Sequence, residues 1–87
     1  MQIYYSSKFA REYKKQSPTV KRQAETKEII FRENPNDNRL KTHALTGRLI
    51  GFHAFSINHK VRIIFEFKSK NVIWFHSIGS HDIYKIR

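Results

Sequence analysis

Near the middle of the second half of the chain, Val61-Arg62-Ile63-Ile64-Phe65-Glu66-Phe67 alternates without a break. In an extended chain Val61, Ile63, Phe65 and Phe67 fall on one side, and Arg62, Ile64 and Glu66 on the other. A run with a period of two must be a strand with one covered face. It needs partner strands and a covering layer, which excludes an all-helical fold.

The flanking segments supply the partners. Arg48 to Ile57 reads as the strand before it, interrupted at Gly51, where a bulge or bend is expected. Asn58-His59 turns into the alternating strand, Lys60 to Phe67, and Lys68-Ser69-Lys70-Asn71 is a polar hairpin loop. Val72 to Ile78 is apolar on both faces, as expected of a central strand. Gln2 to Tyr5 adds a short first strand.

The covering layer comes from the first half. Ser6 or Ser7 caps a short helix, Lys8 to Gln16, with Phe9 and Tyr13 on one face. Ser17-Pro18 ends it and starts a second, Ser17 as N-cap and Pro18 in the first turn. That helix runs to Phe31 or Arg32 with Val20, Ala24, Lys27 and Phe31 along one stripe and Ile30 beside it. Asn34-Pro35-Asn36-Asp37-Asn38 stops it, and Arg39 to Gly47 is a connector. The expectation is an α+β fold of order β-α-α-β-β-β, a helical hairpin on a mainly antiparallel twisted sheet.

With 87 residues, 39% of them hydrophobic, there is material for one core and hence one domain, residues 1–87. The absence of cysteine rules out disulfides and thiolate chemistry. Apolar runs fall well short of the ~20 residues a membrane helix needs. Met1 leads straight into QIYY with no cationic stretch before an apolar one, so no secretory leader is expected and the cytoplasm is the expected compartment. Seventeen Lys and Arg against seven Asp and Glu give a net charge of +10. So large an excess on so small a domain favours a polyanionic partner: nucleic acid, an acidic protein or an anionic membrane surface. The membrane ranks last for want of a basic amphipathic helix with a broad apolar face.

Arg62 carries the sharpest question. A guanidinium inside a strand is costly unless paired or facing a wet groove. Either it pairs with Glu66, Glu12 or Glu33, or it clamps a phosphate, which its planar fork suits. All five histidines lie in the second half, at spacings that match no zinc pattern, so no metal or other cofactor is expected. RNA cleavage by 2′-hydroxyl attack requires a base, an acid and cations around the phosphorane, and histidine with an ordinary pKa of ~6.5 can fill either proton-transfer role. His43, His81, Arg62, Lys41, Lys60 and Tyr84 are the parts available.

Taken together, the short first strand, the helical hairpin, LKTHALTG, VRIIFEF and the terminal IGSHDIYK resemble the RelE/ParE superfamily of bacterial type II toxins, closest to its YafQ- and RelE-like mRNA interferases. The resemblance covers nearly the whole chain. It implies a ribosome-dependent endoribonuclease, a cognate antitoxin and mRNA in the ribosomal A site as partners, and a fold of the microbial RNase type. It also implies catalytic roles for His43, Arg62 as phosphate clamp, His81 as general acid and Tyr84 as the C-terminal aromatic. Lys41, Arg48, His59 and Lys60 are expected to contact RNA. Where YafQ-like toxins carry a strand-two histidine and an acidic residue opening strand three, this chain has Ser56 and Lys60. That leaves His43, His59 and Lys60 as alternatives for the general base. The runner-up function implied by the superfamily is a ParE-like inhibitor of DNA gyrase, acting by protein binding alone.

Overall fold

Both helices follow from local chemistry. The computed structural model describes residues 1–80 and 83–84. Ser6 caps α1 (Ser7–Lys14), its side chain accepting from the Phe9 amide, and Ser17 caps α2 (Pro18–Glu33) by accepting from the Val20 amide. Ala24 and Phe31 of α2 are buried, with Val20 and Ile30 packed beside them, while Ile29 on the opposite side is exposed. The expected stripe is therefore the buried one. No described helix is long and apolar enough to cross a membrane.

The helices lie on a five-stranded mixed sheet of order β1-β5-β4-β3-β2, formed by β1 (Gln2–Tyr5), β2 (His43–Ala44), β3 (His53–Ser56), β4 (Arg62–Ser69) and β5 (Val72–Gly79). β1 runs parallel to β5 and the other pairings are antiparallel. Val61, Ile63 and Phe65 join Phe31, Phe55 and Phe75 in the core under the helices. Phe31 is the keystone, with ring centroids 4.8 Å from Phe55, 4.9 Å from Phe65 and 5.4 Å from Phe75. β5 lies between β1 and β4, an interior position though not the centre, which β4 holds.

Past Tyr5, β1 no longer covers the edge of β5, and α1 takes over its hydrogen bonds. The Ser6 hydroxyl donates to the His76 carbonyl (2.9 Å), and a Glu12 carboxylate oxygen accepts from the Ile78 amide (3.0 Å) and the Ser77 hydroxyl (2.8 Å).

One strand differs from expectation. Arg48 to Ile57 is not continuous: strand structure is confined to His53–Ser56, and Gly47–Leu49 forms a 3-10 turn. Gly47 (φ 64), which opens that turn, and Gly51 (φ 97), just beyond it, hold left-handed backbone, a conformation open to residues without a Cβ. The turn lets the Leu45 amide reach the Phe52 carbonyl at 2.9 Å, closing a hairpin between β3 and the two-residue β2 that the connector conceals.

Candidate functional site

The helix-free face is not an open basic surface. Cross-strand partners share a face, and the register aligns His43, Ala54, Ile64 and Ser77 in one row and Ser56, Arg62 and Gly79 in the next. Ala54, Ile64 and Ile83 form a second buried cluster there, flanked by Leu45, Leu49, Phe52 and Tyr84. Ile83 and Tyr84 thus lie against this face of the sheet. Gly79 makes room for them: a Cβ at that position would sit 2.5 Å from Ile83 Cγ2.

Arg62 is half-buried at the edge of this cluster, and none of the expected carboxylates pairs with it. Glu66 is engaged by His76 Nε2 (3.0 Å) and Lys68 Nζ (3.8 Å), and Glu12 by α1 and β5. Among the described residues no carboxylate lies within ion-pair distance of the guanidinium. Its Nη1 donates instead to the carbonyls of Asn58 (2.8 Å), His59 (3.3 Å) and Val61 (3.3 Å). The turn that supplies them is itself fixed, because the Asn58 side chain accepts from the amides of Lys60 and Val61 (both 2.8 Å) and donates to Gln23 Oε1 (2.8 Å) on α2. Carbonyl dipoles orient the cation without cancelling its charge.

A cleft of about 320 Å³ opens beside Arg62, lined by His59, Lys60 and Ser80. Tyr84 closes in from the C-terminal segment. Burial raises its phenol pKa, and the charge and hydrogen bonding of Arg62 pull the other way without reversing the shift. A guanidinium can only donate, so the phenol oxygen accepts from Arg62, and the hydroxyl keeps its proton at neutral pH.

The other expected site residues are more dispersed. His43 is exposed on edge strand β2, on the helix-free face, with Nδ1 3.0 Å from the Lys41 carbonyl. Two strand spacings, roughly 10 Å, separate β2 from β4. Lys41 is exposed with left-handed backbone (φ 55), and Arg48 sits in the 3-10 turn on the rim of an adjacent apolar groove. His81 lies outside the described residues. Arg62, Tyr84, His59 and Lys60 are thus brought together, while His43, Lys41 and Arg48 surround them at a distance. Ser80 joins the cleft with no sequence signal, and the order of residues could not reveal that Gly79 shapes it.

Two further histidines have structural settings. His53 stacks on Phe65 (5.6 Å) and meets Phe67 edge to face (5.0 Å), and His76 meets Glu66 and, edge to face, the Phe52 ring (5.0 Å).

A family model for the YafQ bacterial toxin of type II toxin–antitoxin systems matches residues 1–84. No curated protein sequence matches the chain. Among solved structures, YafQ from E. coli strain BL21(DE3) superposes with a TM-score of 0.71 at 17% identity, over 95% of this chain and 96% of that one. A YoeB/ParE toxin from Agrobacterium tumefaciens gives 0.78 at 13% identity, over 93% and 99%. The toxin-like chain of the E. coli DinJ–YafQ toxin–antitoxin complex gives 0.69 at 18% identity, over 94% and 93%. At such identities these likenesses establish a shared fold. The α+β fold expected from the sequence is the one these toxins have.

Proposed function

The chain belongs to the YafQ family of bacterial type II toxin–antitoxin toxins, and from that premise we propose that it is an endoribonuclease that cuts mRNA in the ribosomal A site by 2′-hydroxyl attack. The observation carrying this reading is Arg62, a half-buried cation held by backbone carbonyls, without a carboxylate partner among the described residues, beside a cleft lined by His59 and Lys60. A cation so placed stabilises the charge that builds on a phosphorane.

In the proposed reaction a base removes the 2′-hydroxyl proton, with His59, Lys60 and the more distant His43 as alternatives. The 2′ oxygen forms a bond to the adjacent phosphorus. The bond from phosphorus to the 5′ oxygen breaks, and that oxygen takes a proton from His81, leaving a 2′,3′-cyclic phosphate and a 5′-hydroxyl. Arg62 holds the non-bridging oxygens, and the protonated Tyr84 phenol donates to the phosphate or stacks on a base. Lys41 and Arg48 hold RNA further out. This route needs no metal.

The partner proposed is a cognate antitoxin that covers the basic face, and the same positive charge serves both binding events. In support, one structure of this fold is the DinJ–YafQ toxin–antitoxin complex.

The test is mRNA cleavage in a purified translation system. Arg62→Ala should lower the rate by about 10²- to 10³-fold, the scale of one lost transition-state donor. His81→Ala should cost about 10²- to 10⁴-fold. Wild-type cleavage by both variants sinks the assignment. A gyrase inhibitor of the same fold would instead block DNA supercoiling and leave mRNA intact.

A further inference from the structure

The helix-free face continues well past Arg62. Along β4 its side chains are Arg62, Ile64 and Glu66, and the cross-strand partner of Glu66 on β5 is Trp74. Trp74 is 38% exposed, and Tyr4, its neighbour across β1 and β5, is 49% exposed. Their ring centroids are 6.1 Å apart, and Lys68 Nζ lies 5.6 Å from the Trp74 centroid. Aromatic rings of this size are ordinarily spent on core packing. Here two adjacent rings face water beside a cation, and neither the core nor the cleavage chemistry uses them. The carboxylate across from Trp74, Glu66, is already engaged by His76 and Lys68. Between the platform and Arg62 runs a groove of about 550 Å³, walled by Phe52, Ile64 and Ile83, with Lys8 and Arg48 at its margins.

We infer that Tyr4 and Trp74 form a base-stacking platform for single-stranded RNA, with Lys68 as its phosphate contact, at the far end of a track that begins at Arg62. Every base presents a π face, so stacking of this kind tolerates any sequence. The +10 charge of the chain selects a polyanion over a neutral apolar partner. Four residues of strand, roughly 13 Å, separate Arg62 from Glu66, so the stacked base belongs to a nucleotide removed from the cleaved linkage. The platform positions RNA and takes no part in the chemistry. The inference rests on the RNA-cleaving reading of this face.

Trp74 is the chain's single tryptophan, so its emission reports on the platform directly. The probe is a single-stranded, fully 2′-O-methylated oligoribonucleotide, which lacks the attacking hydroxyl and cannot be cut. It should quench Trp74 emission saturably and less so as salt rises. Trp74→Ala should weaken binding, read by anisotropy of a labelled oligonucleotide, by about 5- to 150-fold, the equivalent of one stacked base. Trp74→Phe, which keeps a ring and guards against misfolding, should retain most of the affinity. Unchanged emission at saturation together with wild-type affinity of Trp74→Ala overturns the platform, and leaves the cleavage reading intact if Arg62→Ala still slows cutting by about 10²-fold or more. Absence of both binding and cleavage brings down the two together. Emission that responds to the antitoxin and never to RNA makes the patch a protein-docking surface and equally refutes the inference.

Discussion

Gly79→Ala tests whether the close approach of the C-terminal segment to the sheet holds the candidate site together. The added Cβ would lie 2.5 Å from Ile83 Cγ2, where carbon–carbon contacts settle at about 3.5–4.0 Å. Ile83 must retreat by roughly 1 Å or more. Its Cγ2 hangs directly on a β-branched carbon with a stiff first torsion, so it cannot swing aside without moving the backbone. Two limits bracket the cost. If Ile83 stays, overpacking costs about 1–3 kcal/mol. If it lifts off Ala54 and Ile64, the lost burial of an isoleucine that is 7% exposed costs about 1.5–3 kcal/mol. Both centre near about 2 kcal/mol. In an Ile83→Ala background the opposing methyl is gone. The same substitution should then stabilise by about 0.4–1 kcal/mol, because alanine restricts the unfolded chain and Gly79 does not have left-handed backbone. The predicted coupling is about 2–3 kcal/mol, well above the ~0.5 kcal/mol within which independent sites add. Urea denaturation of the four proteins measures it. Equal costs of Gly79→Ala in the two backgrounds would refute the reasoning. Because Tyr84 follows Ile83, the single variant should also cleave RNA less well than its loss of stability explains.

Two further outcomes follow from the contacts. Glu12→Ala removes the acceptor for the Ile78 amide and Ser77 hydroxyl and should cost about 2 kcal/mol by denaturation, with β5 amides beyond Phe75 losing hydrogen-exchange protection first. The Tyr5 phenol is pushed up to about 12, first by burial and then by its 2.5 Å hydrogen bond to Glu28. The folded state thus holds the proton more tightly than the unfolded chain. The associated stability is present below pH 10.0 and is lost as pH rises towards about 12. With Tyr5 47% exposed, solvent screening limits the effect to about 1 kcal/mol, and Tyr5→Phe should flatten stability across that window in an alkaline denaturation series.

The sequence by itself determined the parts. Strict alternation from Val61 to Phe67 has one structural meaning, and the two serine caps, Pro18 and the Asn34–Asn38 run bound the helices chemically, because caps and periodicity are local properties. The basic excess and the unusual place of Arg62 within a strand were equally legible.

Only the tertiary structure decided how those parts meet. Arg48 to Phe52 has strand-like composition, yet Leu49 and Phe52 gain more by turning onto the helix-free face through two glycines than by extending. Glu66 shares a face with Arg62 and would pair with it on sequence grounds, but the register and the bulge at His76 give its carboxylate to His76 and Lys68. The carbonyls that hold Arg62 belong to a turn fixed by Asn58 against Gln23, residues 35 apart in sequence. Side-chain spacing encodes which face a residue occupies. It does not encode which distant backbone arrives there, and that arrival orients Arg62 through carbonyls, with no carboxylate partner among the described residues.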